Sequence, residues 1–160
     1  MDQSYFPLFI NLQSKKILMV GGGQVASRRA AVLLDFTDHI TLISPDLSES
    51  LNECVKKEKI TWYKKEFEET DLVNADLVMA ATNDSKSNDM ITKLCKKHHI
   101  PVNHAGDRTQ CDFYFPGIIK QDNLVIGVTA SGQNHRLAKT VTNNIKKLLE
   151  EPSCYNDQED

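Results

Sequence analysis

One stretch of fourteen residues, NHAGDRTQCDFYFP, gathers several side chains that can do chemistry. It runs from Asn103 to Pro116 and lies between two apolar runs that are typical of strands. Asp107 is the residue best suited to proton transfer. His104 has the chemistry of an acid, a base or a metal ligand, and the alternative is a histidine that is solvated or whose hydrogen bonds are satisfied within the protein. The stretch is either an ordinary polar loop or part of a site.

A second candidate is the glycine-rich turn in VGGGQVASRR, which has the form G-x-G-x-x-A through Gly21, Gly23 and Ala26. The first glycine permits a tight turn, the second lets the backbone approach a pyrophosphate, and the small third residue lets the helix pack closely on the strand. The helix N-terminus then offers free N–H groups and a positive dipole to phosphates. A strand before the turn and a helix after it favour dinucleotide binding. The alternative is a glycine-rich turn without a ligand.

The choice between NAD and NADP depends on residues near the end of the second predicted strand. The fingerprint expects an acidic residue about 20 positions on, which bonds the ribose hydroxyl. Asp46 has this spacing from Ala26, and Ser44 lies nearer to the expected strand end. No Arg or Lys lies between residues 41 and 53 to receive a 2′-phosphate. This favours NAD, although Arg28 and Arg29, one helical turn in, could reverse the preference.

Alternating strands and helices must position these candidates. Strands are predicted at 16–20, 39–45, 59–67, 76–82, 100–105 and 123–132, and helices at 24–36, 48–58, 85–99 and 135–151. Strands that alternate with helices of 10–15 residues predict βαβ units and a parallel sheet. The predicted fold class is α/β, a Rossmann-like doubly wound parallel sheet over residues 1–114. A strand–helix segment follows over 115–150, and a frayed tail over 151–160.

Ligands of such sheets bind at the carboxyl ends of the strands. Thr82 and Asn83 end the fourth predicted strand, and Asn103 ends the fifth. We therefore expect Thr82 and Asn83 to contact the dinucleotide. The alternative is that these two residues and Asp84 only form a turn and cap the next helix. The polar stretch that begins at Asn103 lies on the same edge as the glycine turn, which favours a functional role for it.

Composition excludes several classes of protein. The 160 residues carry a net charge of −3, with 40% hydrophobic and 26% charged residues, which is typical of a globular domain without a nucleic-acid partner. No apolar run approaches the roughly 20 residues of a membrane span, and the N-terminus lacks the basic region of a signal peptide. The four cysteines are scattered, which argues against a disulfide framework or a zinc site and favours the cytoplasm.

Several motifs occur together and in order: YFPLF, VGGGQVASR, AATND, VN before a CDF loop, and FPGII followed by LVIGV. From about Tyr5 to Leu149 the chain closely resembles the precorrin-2 dehydrogenase family, the sirohydrochlorin-forming siroheme synthases. The resemblance implies NAD-dependent oxidation of the tetrapyrrole precorrin-2 in siroheme biosynthesis. It also implies an interlocked homodimer, formed by the strand–helix dimerisation segment at 115–150. The family's further helical region is missing or vestigial here, so this is a short form and iron insertion is in doubt.

The resemblance implies roles for individual residues. The dinucleotide is held by Gly21, Gly22, Gly23, Gln24 and Val25, with Thr82, Asn83 and Asn103 lining its cleft, beside the candidates Ser44 and Asp46. The family's catalytic carboxylate stands three residues after the strand-ending Asn, where this chain has Gly106. Asp107 is then the expected replacement. No metal site is assigned, although Asp107 and His104 are the residues that would assist iron insertion.

The carboxylates of a tetrapyrrole favour basic residues near the cleft, because Arg clasps a carboxylate with two hydrogen bonds. The basic candidates are Arg108, Lys120, Arg136 and Lys139, and the alternative for each is scattered surface charge. His104, Ser131 and Asn134 are further candidate substrate contacts. The family motif S-x-G-x-S-P-x-L-A is only partly kept, since His135 stands in place of its proline.

Two other functions stay open beside the NAD-dependent dehydrogenase. One is a bifunctional dehydrogenase with ferrochelatase activity. The other is a non-catalytic NAD-sensing Rossmann module, which Gly106 and the short C-terminus favour. The segment CDFYFPGIIK argues against it, because a pure sensor has no evident use for that segment.

Overall fold

The computed structural model describes residues 5–150. Contacts between Cα atoms divide the chain into two compact units, of which the larger is Tyr5–Phe113 and the smaller includes the chain from Tyr114 onward. The tail predicted over 151–160 lies outside the described residues. No helix among residues 5–150 is both long and apolar enough to cross a membrane.

The larger unit alternates strands with helices. Its elements are β1 (Ile17–Val20), α1 (Gln24–Leu33), β2 (Ile40–Ile43), α2 (Glu49–Lys56), β3 (Thr61–Tyr63), β4 (Leu77–Ala80), α3 (Ser85–Lys97) and β5 (Val102–His104), with short 3₁₀ helices at Glu69–Leu72 and Arg108–Gln110. Each predicted strand and helix of this unit is present. The observed strands are shorter than the predicted runs, because residues at their ends lie in turns that the apolar pattern does not distinguish.

The five strands form one parallel sheet in the order β3-β2-β1-β4-β5. The chain leaves β1 toward β2 on one side and later returns to β4 on the other side. Val20, the last residue of β1, pairs with Ile43 of β2 and with Ala80 of β4. The carboxyl ends of the central strands therefore lie side by side at the point where the strand order reverses, which is where ligands of such sheets bind.

Both faces of the central strands are covered, because consecutive strand residues point to opposite faces and all of them are buried. Every residue of β1 and of β4 is at most 8% exposed. One face packs Leu18, Val20 and Val78 against Ile91 and Cys95 of α3. This explains why the fourth strand reads as a continuous apolar run instead of an alternating one. The fold class predicted from the sequence is confirmed.

The smaller unit is a hairpin and a helix: β6 (Gly117–Gln121), β7 (Leu124–Val128) and α4 (His135–Glu150). The two strands are antiparallel, with Ile119 opposite Ile126. The sequence predicted β7 and α4 but missed β6. Its run GIIKQ is only five residues long and directly follows a proline, so the apolar pattern alone does not mark it as a strand.

Gly117 lies close to helix α4, and its lack of a side chain allows this approach. A Cβ atom at this position would stand 2.5 Å from Oγ1 of Thr142, which is itself held by a 2.7 Å hydrogen bond to the Ala138 carbonyl. In contrast, a Cβ atom on Gly127 would meet only Pro116, at 3.7 Å.

We therefore predict that Gly117→Ala destabilises the protein by about 1–3 kcal/mol, because the added methyl group overpacks the hairpin against α4. Thermal unfolding followed by circular dichroism should show a lower Tm. Gly127→Ala is the matched control, since its methyl group makes only ordinary contacts, and it should unfold close to the wild type. Equal Tm values for Gly117→Ala and the wild type would contradict the close packing described here.

Candidate functional site

The first turn after β1 is packed between the ends of β2 and β4. Gly21 has a φ of +114°, a conformation that side chains rarely allow, and its amide donates to the Ile43 carbonyl at 2.9 Å. A Cβ atom here would clash with the carbonyl group of Ala81. A glycine is therefore required at this position by both its backbone conformation and its neighbours.

Gly22 packs against the turn that follows β2. A side chain at Gly22 would collide with the Asp46 carbonyl oxygen, to which the buried Ser44 hydroxyl donates at 2.6 Å. The Ser48 amide donates to the Gly22 carbonyl at 2.7 Å. The Ser44 hydroxyl is thus used inside the turn, while Asp46 is exposed. Of the two candidates for the ribose hydroxyl, Asp46 has the more accessible side chain.

Helix α1 begins directly after the glycine turn with an uncapped N-terminus. Its N-cap residue, Gly23, provides no side-chain hydrogen bond, and the first turn contains no acidic residue. Gln24 and Val25 are exposed there, and Ala26 is completely buried. The free N–H groups and the helix dipole at this end suit a phosphate group.

The residues after β4 lie beside this helix start. Oδ1 of Asn83 is 3.3 Å from the position that a Cβ atom on Gly23 would take. Asp84 caps α3 by accepting hydrogen bonds from the amides of Lys86 and Ser87. A further bond from the Ser87 hydroxyl, together with that from the Ser87 amide, lowers the pKa of the Asp84 carboxyl group. Asp84 therefore has the capping role that was the alternative expectation for this turn.

Asn88 holds Thr82 in place, and the sequence analysis did not single it out. Its Oδ1 accepts from the Thr82 amide at 2.9 Å and lies 2.8 Å from the Thr82 hydroxyl, while its Nδ2 donates to the Thr82 carbonyl at 3.1 Å. Asn88 is only 3% exposed and shares a helix face with the buried residues Ile91 and Cys95. The sequence does contain a signal for Asn88, because it is a polar residue within the apolar stripe of a helix.

Asn103 presents a buried acceptor at the end of β5. Its Nδ2 donates to the Phe113 carbonyl at 2.7 Å, which ties the strand to the end of the polar loop. Its Oδ1 is buried and has no hydrogen-bond partner within the described part of the chain. An unpaired acceptor in such a place is costly, and a bound group that carries an N–H would satisfy it.

The ring of His104 is buried, with only 1% of the side chain exposed. Nδ1 accepts from the amides of Gly106 and Asp107 at 3.0 and 2.8 Å. Nε2 lies 3.2 Å from the carboxylate of Asp89. Since Nδ1 accepts, the neutral ring carries its proton on Nε2 and donates to Asp89. His104 is thus a histidine whose hydrogen bonds are satisfied within the protein, the alternative left open by the sequence.

Asp107 uses both carboxylate oxygens within its own loop. Oδ1 accepts from the amide and the hydroxyl of Thr109 at 2.9 and 2.7 Å, and Oδ2 accepts from Nε2 of Gln110 at 3.0 Å. These bonds lower the pKa of Asp107 to about 2, and the bond from the Thr109 hydroxyl has the largest effect. The carboxylate is ionised but is a weak base in this conformation.

Two further residues border the polar loop. Burial lowers the pKa of Arg29 in α1, and burial raises the pKa of the Cys111 thiol. The Arg29 guanidinium and an ionised Cys111 thiolate would attract each other, and this attraction opposes both pKa shifts. Cys111 is 8% exposed, and its sulfur accepts from the His104 amide at 3.2 Å. Arg29 is therefore half-buried beside the polar loop.

The remaining candidates divide between the two units. Arg108 is exposed in the 3₁₀ helix of the polar loop. Ser131, Asn134 and Arg136 belong to the smaller unit, as do Lys120 and Lys139. Asn134 accepts from the Leu137 amide at 2.9 Å and so caps the start of α4, which accounts for this side chain locally.

A family model described as "Putative NAD(P)-binding" matches residues 8–117. The chain belongs to this NAD(P)-binding family. Within it, the chain is similar to the precorrin-2 dehydrogenase domain of siroheme synthases, as the sequence predicted. The match contains the glycine turn, all five strand ends and the polar loop, so the edge of the sheet described above lies wholly within the family domain.

Individual relatives agree with this assignment. A probable multifunctional siroheme biosynthesis protein HemA of Ruminiclostridium josui is 41% identical over 89% of this chain and 28% of its own length. The siroheme synthase of Baumannia cicadellinicola is 37% identical over 91% of this chain and 31% of its own length. The solved structure of SirC, a precorrin-2 dehydrogenase, has a TM-score of 0.74 at 26% identity and covers 90% of this chain and 70% of that one. The chain thus spans about a third or less of these two siroheme proteins.

We predict that Asp107 titrates near pH 2 because of its hydrogen bonds with Thr109. Its pKa is lower in the folded protein than the ordinary value of 3.8, so the ionised carboxylate stabilises the fold above about pH 4. This contribution is lost as the pH falls through about 2.

NMR titration of the side-chain carboxyl carbon checks this prediction. Replacing Thr109 with Val removes the hydroxyl donor, and the titration of Asp107 should then move to higher pH. Thr109 is exposed, so the variant should fold normally. A wild-type midpoint near the ordinary value would show that these hydrogen bonds are absent in solution.

Proposed function

We propose that this chain is an NAD-dependent precorrin-2 dehydrogenase that forms sirohydrochlorin in the cytoplasm and works as a homodimer. The observation that carries the proposal is the uncapped start of α1, which follows a glycine turn at the reversal point of the sheet. The similarity to a solved precorrin-2 dehydrogenase supports the reaction. The whole relatives are longer, so their other activities are not proposed for this chain.

The residues at the sheet edge fit a dinucleotide. The N–H groups at Gly23, Gln24 and Val25 would hold the pyrophosphate, because the N-cap residue provides no side-chain hydrogen bond at that helix end. The buried, unpaired Oδ1 of Asn103 would accept an N–H group of the cofactor. NAD, when bound, supplies the hydride acceptor of the reaction.

The same edge supports NAD over NADP. Asp46 is exposed just after β2 and would repel a 2′-phosphate, and no Arg or Lys lies between residues 41 and 53. Arg29 is half-buried, and this burial lowers its pKa. Arg28 is exposed and is the remaining basic residue near this end of α1.

A tetrapyrrole substrate with many carboxylates suits the exposed cations of the chain. Arg108 in the polar loop and Arg136 at the start of α4 are exposed, and both form bidentate contacts with carboxylates readily. Ser131 and Asn134 are the polar candidates of the smaller unit. His104 is the least suitable of the predicted substrate contacts, because its two ring nitrogens are already occupied.

Asp107 is the proposed base, and its hydrogen bonds determine how it could work. The protein has to remove one proton from the substrate while the cofactor takes the hydride. Oδ1 already accepts two hydrogen bonds from Thr109, whereas Oδ2 accepts one from Gln110 and keeps a lone pair for a substrate proton. Release of the Gln110 bond would make the carboxylate a stronger base than it is in the structure.

Gly106 provides a sharp test of this assignment, because the position has room for a side chain. A Cβ atom there would meet only the His104 ring, at 3.5 Å, and Gly106 is exposed. Gly106 is also where the resemblance expects the catalytic carboxylate. A carboxylate side chain can therefore be introduced at residue 106 without a steric clash at its Cβ atom.

We predict that the wild type forms NADH from NAD and precorrin-2, and that Asp107→Asn lowers kcat by about 10²–10⁴-fold through loss of the base. The double variant Gly106→Asp with Asp107→Asn should recover part of this loss. NADH absorbance measures the rates, and Gly106→Ala is the control for added bulk. Wild-type turnover by Asp107→Asn would remove Asp107 as the base, and absence of NADH from folded wild type would remove the dehydrogenase itself.

A second prediction concerns the cofactor. Gly23→Ala should weaken NAD binding by about tenfold or more, because its methyl group occupies the space where the backbone approaches the pyrophosphate. Its φ of −84° is open to alanine, and the added methyl group requires only a small shift of Asn83, whose Oδ1 stands 3.3 Å away, so the fold should persist. Calorimetry gives the affinities, with Gly127→Ala as a control in the other unit. Tight NAD binding by Gly23→Ala would mean that the pyrophosphate does not lie at this turn.

The proposed homodimer follows from how little the smaller unit buries. Among its described residues only Ile119 and Thr142 are buried, while Leu124, Leu137 and Leu148 are 41%, 53% and 55% exposed. An isolated two-stranded hairpin is at best marginally stable in water, and the helix of this unit leaves these three leucines exposed. A second copy of the chain would cover the exposed leucines.

Sedimentation velocity should then give twice the chain mass of 18.1 kDa. Leu137→Lys combined with Leu148→Lys should shift the protein toward the monomer, because charged residues are costly in a buried interface. Asn143→Lys, on an exposed position of the same helix, should leave the dimer intact. A monomeric wild type at high concentration would contradict the interlocked dimer.

One alternative has an observation in its favour. The occupied carboxylate of Asp107 is consistent with a module that binds NAD and catalyses nothing. Such a module would bind NAD yet form no NADH from precorrin-2. Ferrochelatase activity is tested separately, by supplying sirohydrochlorin and ferrous iron without oxygen and comparing the rate with the spontaneous one.

A further inference from the structure

We propose that His104 is a positioning residue, which sets the backbone of the Gly106–Gln110 loop and thereby the place of the Asp107 carboxylate. The catalytic consequence rests on the proposed dehydrogenase function, whereas the loop geometry does not. The proposal replaces the predicted substrate contact of His104 with a role inside the protein. It is carried by the hydrogen bonds of both ring nitrogens and by the burial of the ring.

Nδ1 is the anchor of the loop. Two consecutive amides, those of Gly106 and Asp107, converge on this single atom at 3.0 and 2.8 Å. Convergence on one acceptor requires the chain to turn sharply after β5, so the ring fixes the direction in which the loop leaves the sheet. A ring protonated at Nδ1 would lose both bonds, because that nitrogen would no longer accept.

Nε2 holds the ring from its other side. It donates to Oδ1 of Asp89 in α3, and the same oxygen accepts from Nε2 of Gln110 at 2.7 Å. The Gln110 amide also donates to Oδ2 of Asp107 at 3.0 Å. The histidine, helix α3 and the catalytic candidate are thus joined in one network, which keeps the Nε2–H tautomer and prevents ring rotation.

Cys111 closes the loop at its far end. Its sulfur accepts from the His104 amide at 3.2 Å and lies 3.4 Å from the Asp107 carbonyl. Both ends of the loop are therefore attached to residue 104, one by its ring and the other by its backbone. Gly106 has no side chain that could hold the turn in place. The ring of His104 holds it instead.

The expected effect of His104 is on geometry. Displacing a catalytic group by about 1 Å can lower the rate by up to about 10²-fold. In the described structure the ring is hydrogen-bonded to Asp89, Gly106 and Asp107 and not to the glycine turn or the start of α1, so cofactor affinity should not depend on it. Loss of the anchor should therefore lower kcat while the KM for NAD stays unchanged.

Two variants separate the two nitrogens. His104→Asn keeps an acceptor at the place of Nδ1 and loses the reach to Asp89, while His104→Gln keeps a donor near the place of Nε2 and loses the anchor. We expect kcat to fall at least about tenfold in His104→Gln and to stay within about threefold of the wild type in His104→Asn. Equal loss in both variants, or loss only in His104→Asn, would overturn the anchoring role of Nδ1.

A readout that needs no activity is hydrogen exchange of the Gly106 and Asp107 amides, measured by NMR. Both amides should be protected in the wild type and in His104→Asn and exchange at least about tenfold faster in His104→Gln. Nitrogen-15 spectra of the wild-type ring should show the Nε2–H tautomer. Unprotected wild-type amides or the Nδ1–H tautomer would overturn the proposal even if no variant folds.

The two proposals fail in distinguishable ways. If the wild type forms no NADH but shows the expected exchange pattern, the dehydrogenase function falls and the loop-positioning role stands. If NADH is formed and His104→Gln keeps both its kcat and its amide protection, the dehydrogenase stands and the positioning role falls.

Discussion

The backbone of Gly21 lies where a side chain would collide with the Ala81 carbonyl group, and its φ of +114° is one that side chains rarely allow. This contact brings the turn after β1 directly onto the end of β4. The same turn is tied to β2 by the Gly21 amide and to the turn after β2 by Gly22. The start of α1 is thereby fixed at the reversal point of the sheet. The ends of β1, β2 and β4 and the start of α1 therefore meet at this crowded junction.

The elements that the sequence predicts well are those in which local pattern and tertiary packing agree. The run 77–80 is continuously apolar because both of its faces are buried, and it is the central strand that this pattern predicts. The short strand β6 was missed because its five residues depend on a partner strand for their stability, and no local signal of a partner exists. The predicted edge of strand ends, with its glycine turn, is the edge that the structure shows.

Individual side-chain roles were harder to predict, because they depend on contacts between residues that are distant in sequence. Sequence spacing could not show that Asn88 reaches back to Thr82, or that Asp89 meets a histidine fifteen positions later. The sequence identifies Asp107 as a candidate base because it is a carboxylate. The same carboxylate accepts hydrogen bonds from neighbouring donors, and these bonds lower its pKa. A residue can thus be correctly placed on an edge while its availability is decided by hydrogen bonds that only the folded loop reveals.

The chain contains a single tryptophan, Trp62 in β3, and its indole N–H donates to the Ser44 carbonyl at 3.0 Å. That carbonyl belongs to the turn against which Gly22 packs, so the indole is one hydrogen bond away from the edge of the glycine turn. The tryptophan fluorescence of this protein therefore comes from one known place. A ligand that shifts the turn after β2 should therefore change the fluorescence of that ring. Its binding can be followed without a label and without a chemical reaction.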